Sequence, residues 1–140
     1  MPESETDFLA ILRALSGHHV EYIVTGGVCA VLHGAPLATF DLDIVHSRTP
    51  ENLERLRAAL AGLGAYYREH AARRPVPQTS HLAGPGHHLL MTRAGALDVP
   101  GEVGRHRGYD DLLGRTVTAE IEPGLRIRAL SLPALIALKK

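Results

Sequence analysis

Residues Tyr22–Val45 read YIVTGGVCAVLHGAPLATFDLDIV. The β-branched and aromatic run Val20–Thr25 predicts a strand. Gly26-Gly27 breaks it, and the apolar run Val28–Leu32 predicts a short helix ending near Gly34. A second strand, Phe40–Val45, follows, and its alternation puts Asp41 and Asp43 on one face and Leu42 and Ile44 on the other. Two adjacent glycines let a backbone approach a phosphate closely, and the helix N-terminus behind them offers unpaired N–H groups and a favourable dipole. Carboxylates at i and i+2 on one strand face converge on a point that suits Mg²⁺, which takes a few carboxylates plus waters and substrate phosphates. The connection from Gly27 to Asp41 is long enough for a short helix and a return to a neighbouring strand. A phosphate cradle and a metal site would then lie side by side, as in-line attack on a nucleoside triphosphate requires.

Outward from this stretch, Phe8, Ile11, Leu12 and Leu15 recur at helical spacing, with Ser4-x-x-Asp7 similar to a capping box and Gly17 as the stop. Thr49-Pro50-Glu51 is a helix start: a capping hydroxyl, proline at the first helical position, then an acid at the positive dipole end. Leu53, Leu56, Leu60 and Leu63 supply that helix with its buried stripe, and Gly62 and Gly64 end it. Ala71–Gly86, rich in proline and glycine, is predicted as a loop. Leu89–Thr92 and Ala96–Val99 predict a hairpin turned at Arg93-Ala94-Gly95, and Val117–Ile121 with Arg126–Leu130 a second one turned at Pro123-Gly124. Ser131 and Pro133 open a last helix, Leu132–Lys140. The expected class is α+β (an α/β mixed sheet flanked by helices), because the hairpins exclude an all-parallel sheet.

The chain has 140 residues, about one ordinary domain, so 1–140 is expected to be a single domain. Lys plus Arg and Asp plus Glu both number 15, and the formal net charge is zero. That balance argues against general nucleic-acid coating, which needs a basic field. No apolar run approaches the ~20 residues of a membrane span. The acidic N-terminus is wrong for a signal or transit peptide. Cys29 is the single cysteine, so neither an intramolecular disulfide nor a cysteine zinc cluster can form, and a cytoplasmic, soluble protein is expected. Arginine far outnumbers lysine, and with many Ala, Gly and Pro residues coding bias explains this better than phosphate recognition.

Six aspartates occur, and only Asp41, Asp43 and Asp98 fall within predicted apolar strands. A carboxylate there costs free energy unless a metal or cation compensates it. The strings Val24-Thr25-Gly26-Gly27, Phe40-Asp41-Leu42-Asp43-Ile44 and Leu97-Asp98-Val99 together resemble the DNA polymerase beta-like nucleotidyltransferase superfamily. His33-Gly34, Thr39 and the closing segment from Leu130 to Lys139 extend the resemblance to small bacterial nucleotidyltransferase-like proteins of the AbiEii and antitoxin-related group, over roughly residues 20 to 140. The resemblance implies a nucleotidyltransferase fold and two-metal transfer of a nucleoside monophosphate from a nucleoside triphosphate to a hydroxyl acceptor. That acceptor would be a small molecule, a tRNA or a protein. It implies two Mg²⁺ ions, with Mn²⁺ as an alternative, on Asp41, Asp43 and Asp98. It implies nucleotide binding by Thr25, Gly26, Gly27 and Lys139. Similar proteins also occur in toxin–antitoxin pairs, so the other implied role is a regulator that binds a partner protein; a domain that binds nucleotide without turnover is a third. Relatives continue past this lysine, which implies a further C-terminal segment.

One departure from the pattern bears on activity more than on fold. Relatives place an arginine two residues before Thr39, where this chain has Leu37. The cation is then absent or supplied by Arg48, Arg73, Arg74 or Lys139. The nine histidines show no metal-ligand spacing on a helix, and the side chains of adjacent pairs such as His87-His88 diverge. His33 packs between helix and strand or touches a ligand, Cys29 is expected to be a buried thiol, and Arg73-Arg74 are either solvated or hold an acceptor.

Overall fold

The computed structural model describes residues 6–34, 41–70 and 72–138. Its elements run α1 (Phe8–Gly17), β1 (Tyr22–Thr25), α2 (Gly26–Leu32), β2 (Asp41–His46), α3 (Pro50–Gly62), β3 (Tyr66–Tyr67) and α4 (Thr79–Leu82). They continue with β4 (His87–Thr92), β5 (Gly95–Pro100), α5 (Tyr109–Leu112), β6 (Thr116–Glu122), β7 (Leu125–Leu130) and α6 (Leu132–Leu138). The seven strands form one sheet in the order β3-β4-β5-β2-β1-β7-β6. β2 runs antiparallel to β1 and parallel to β5, and β1 runs parallel to β7, so the sheet is mixed, as the two hairpins require.

Local chemistry explains most of the elements. The Thr49 hydroxyl caps α3 by accepting from the Asn52 amide at 3.3 Å, with Pro50 next and Glu51 in the first turn. The expected leucine stripe of α3 is buried, and so is the Ile11, Leu12, Leu15 face of α1. These faces close over one side of the sheet, where Leu42, Ile44, Leu90, Leu97 and Val99 have no exposed surface. Each such side chain contributes roughly 1.5–3 kcal/mol by leaving water.

Asn52 is fully buried on α3 and ties three segments together. Its Oδ1 accepts from the Glu21 amide at 2.7 Å, and its Nδ2 donates to the carbonyls of Glu21 (3.0 Å) and Ser47 (2.7 Å). The ends of β1 and β2 are thereby fixed to the start of α3.

Four local expectations need correction. Asp7 is itself the N-cap of α1, accepting from the Ala10 amide at 3.1 Å, and is not the third helical residue of a box; Ser4 lies outside the described residues. The segment expected to be a loop, Ala71–Gly86, carries α4, a single turn closed by reciprocal bonds between Gln78 and His81 and anchored by fully buried Leu82. One turn is too short to leave a periodic signature. The glycines of Gly26-Gly27 form the first turn of α2 rather than preceding it. β3 and α5, two and four residues long, were not anticipated. Among the described residues no helix is long and apolar enough to cross a membrane.

Candidate metal centre

The three central strands carry the candidate site. In their register Thr25 of β1 pairs with Asp43 of β2, and Asp43 pairs with Asp98 of β5. Paired residues project to the same face of a sheet, so these three side chains form a row. Asp41, two residues before Asp43, is on that face as well. Carboxylate oxygens of Asp41, Asp43 and Asp98 lie within 4.8 Å of one another. All three residues are half-buried. The opposite face of β2 carries Leu42 and Ile44, so the alternation read from the sequence is the one that aims the acids away from the core.

Gly26 makes this arrangement sterically possible. Its φ is +70°, in the left-handed region that favours glycine. A Cβ at this position would lie 1.9 Å from Asp43 Oδ2 and 2.8 Å from its Cγ. The Asp43 carboxylate thus rests against the first residue of α2, whose opening N–H groups lack intrahelical partners. β1, the turn at Gly26 and β2 meet at one point.

The electrostatics follow from the crowding. Burial, a hydrogen bond with Asp98 and the charges of Asp98 and Asp41 push Asp43 up to about 7. Burial also raises Asp98, against the opposing pull of Arg68. A cluster of half-buried carboxylates with raised pKa values is the environment expected of a functional site. It is also a hard-oxygen donor set, which fits Mg²⁺ or Mn²⁺ better than a soft-ligand metal.

Among the described residues, Arg68 brings a positive charge to this site. It opens the 3₁₀ turn Arg68–His70 directly after β3, and its Nη2 donates to Asp98 Oδ1 at 2.5 Å. None of the arginines named from the sequence is placed there. Arg48 pairs with Glu102 at 3.2 Å and donates to the Ala83 carbonyl. Arg73 is exposed, and Arg74 lies over the Tyr66 ring at 5.0 Å from its centroid. Leu37, Thr39 and Lys139 lie outside the described residues. The local cue to Arg68 was an arginine at the same parity as Tyr66 after a short aromatic pair, which carries meaning only once β3 is placed in the sheet.

No family model and no curated protein matches this chain. Among solved structures it is similar to the crystal structure of a candidate nucleotidyltransferase from Thermotoga maritima. The TM-score is 0.59, the identity 16%, and the match covers 93% of this chain and 78% of that one. The fold is nucleotidyltransferase-like. At that identity the likeness is one of architecture, and the chemistry has to be argued from the side chains.

Within this nucleotidyltransferase-like fold Cys29 and His33 tie α2 to the end of β7. Cys29 is fully buried, its Sγ donates to the Leu130 carbonyl at 3.3 Å, and burial pushes the thiol up to about 11. His33 reaches the same carbonyl, Nε2 to oxygen 2.8 Å, so both clamp α2 onto β7. His87 is exposed and His88 buried, which is the divergence expected of neighbours on a strand.

Proposed function

We propose that the protein is a Mg²⁺-dependent nucleotidyltransferase that moves a nucleoside monophosphate from a nucleoside triphosphate to a hydroxyl acceptor and releases pyrophosphate. The observation that carries this reading is the convergence of Asp41, Asp43 and Asp98 beside the glycine turn that opens α2. Asp41 and Asp43 hold the divalent ions, two Mg²⁺ or alternatively Mn²⁺, and Asp98 contributes the third carboxylate. Bound there, such ions supply Lewis-acid stabilisation of the phosphoryl oxygens and lower the pKa of the attacking hydroxyl. Thr25 and the backbone of Gly26 and Gly27 hold phosphate oxygens, with Lys139 as a further nucleotide-binding cation. Asp98 takes the proton as the acceptor oxygen bonds to the α-phosphorus and the bond from phosphorus to the bridging oxygen breaks.

The acceptor is a small molecule, a tRNA or a protein, in a cytoplasmic setting. The experiment incubates the protein with each labelled nucleoside triphosphate, Mg²⁺ and cell extract, alongside Asp41→Asn/Asp43→Asn. Label should pass to an extract component with the wild-type protein alone. Equal transfer by the double variant, or none with any nucleotide and extract fraction, overturns the enzyme reading.

A second reading is a weakly active or inactive member of the AbiEii and antitoxin-related group, acting by protein binding in a toxin–antitoxin pair. Leu37 in place of the relatives' arginine supports it. So do Val31 and Leu32 on α2 and Leu132 and Ile136 on the contacting α6, all large apolar residues with much of their surface exposed.

A further inference from the structure

Arg68 is fixed at the site by a part of the sheet that carries none of the acids. β3 lies at the sheet edge, paired to β4 through Tyr66–Met91 and Tyr67–Leu90. Consecutive strand residues face opposite sides. Tyr67 hydrogen-bonds His88 Nδ1 at 2.9 Å and packs its ring edge-on against His81, while Tyr66 lies under Arg74 on the other side. The backbone leading into Arg68 is therefore held from both faces. Its guanidinium ends on Asp98 Oδ1, the same carboxylate that would have to ligate a divalent ion.

A divalent ion on this carboxylate would put a second positive charge beside the guanidinium even with each cation on its own oxygen, and at that range the two repel. Three clustered carboxylates attract an arriving divalent ion, and once bound it repels the guanidinium. Arg68 and Asp98 keep 25% and 18% of their side-chain surface exposed, which leaves the arginine room to turn outward. A guanidinium released beside a metal-bound polyphosphate has a planar fork matched to phosphate oxygens.

We propose that Arg68 is a substrate-exchanged counter-ion: it holds Asp98 until a divalent ion takes that carboxylate, and it then binds the phosphate oxygens of the metal-bound polyphosphate. This rests on the metal-site reading above.

The test uses full-length wild-type protein, Arg68→Gln, Arg68→Lys and Asp41→Asn, stripped with EDTA and dialysed. Mn²⁺ binding is followed by electron paramagnetic resonance, and inorganic tripolyphosphate binding to the Mn²⁺-loaded protein by calorimetry. Circular dichroism verifies that each variant is folded. Arg68→Gln should bind Mn²⁺ about tenfold more tightly than wild type, because a charge-assisted competitor is gone. It should bind tripolyphosphate about tenfold more weakly, with Arg68→Lys between the two in both assays. Wild-type Mn²⁺ binding that is lost in Asp41→Asn but unchanged or weakened in Arg68→Gln overturns the exchange and leaves the metal site standing. Equal tripolyphosphate affinity in wild type and both Arg68 variants also overturns it. Absence of Mn²⁺ binding by wild type and Arg68→Gln alike overturns the metal site itself.

Discussion

Gly26→Ala is the substitution that most directly tests how the site is built. An added methyl meets two separate penalties. The backbone sits at φ +70°, which costs a non-glycine residue roughly 1–2 kcal/mol. The new Cβ would also lie 1.9 Å from Asp43 Oδ2, about 1.5 Å short of the ordinary contact distance of 3.4 Å. Moving the carboxylate or the turn to relieve that overlap costs about 1–3 kcal/mol more. The expected loss in urea denaturation of EDTA-treated protein is therefore about 2–5 kcal/mol. Because the displaced group is a proposed ligand, Mn²⁺ affinity by calorimetry should fall by about tenfold or more. The two penalties separate in a double-mutant cycle with Asp43→Ala. That change removes the atoms at 1.9 and 2.8 Å and leaves only Asp43 Cβ, at 3.1 Å. The cost of Gly26→Ala should then shrink to the backbone share, a coupling of about 1–3 kcal/mol. Gly62→Ala is the control, since a Cβ there meets nothing within 4 Å. Strict additivity of Gly26→Ala with Asp43→Ala, or a Gly26→Ala protein as stable as Gly62→Ala, would refute the view that Gly26 is glycine to admit the Asp43 carboxylate.

Three further outcomes follow from the same geometry. Asn52→Ala leaves the part-buried Glu21 amide and the buried Ser47 carbonyl without their side-chain partner, while the Glu21 carbonyl keeps the Ser47 N–H, and should cost about 2–4 kcal/mol in chemical denaturation; a loss under 1 kcal/mol contradicts the clamp. Burial holds His46, whose Nε2 bonds the Leu82 carbonyl at 2.8 Å, down at about 4 against an ordinary 6.5. The unfolded chain then takes up this proton first as pH falls, so the contribution is intact above pH 6.5 and lost between 6.5 and 4. It amounts to about 3 kcal/mol, and a His46→Gln protein with the same pH slope as wild type would exclude His46 as its source. Asp43→Asn removes one of three crowded carboxylates and should stabilise the EDTA-treated protein by about 1 kcal/mol, after discounting for partial exposure, while abolishing the Mn²⁺-induced rise in Tm. Thermal melts with EDTA and with MnCl₂ check both halves, and a destabilised variant in EDTA contradicts the crowding.

What the sequence made legible was local, and what it hid was set by neighbours in the sheet. The acids of β2 were readable because period-two alternation is a property of six consecutive residues, and Asp98 because a charge inside an apolar strand is conspicuous by itself. The Thr49-Pro50-Glu51 start of α3 was readable for the same reason. Asn52 looked like an ordinary first-turn residue, since its three partners lie on Glu21 and Ser47. α4 and β3 were hidden by their brevity: four and two residues carry no period, and long-range packing of Leu82 and pairing to β4 decide them. Arg68 shows the limit most clearly. Three partly buried carboxylates demand a nearby positive charge on energetic grounds alone, so the need for a cation could be stated from the sequence. Its position could not, because the order β3-β4-β5 brings residue 68 to residue 98, and sequence separation alone pointed instead to Arg48, Arg73, Arg74 or Lys139. The chain's zero net charge conceals the same fact: the total is neutral, yet the charge at the site depends on which arginine stands beside which aspartate, and strand order makes that choice.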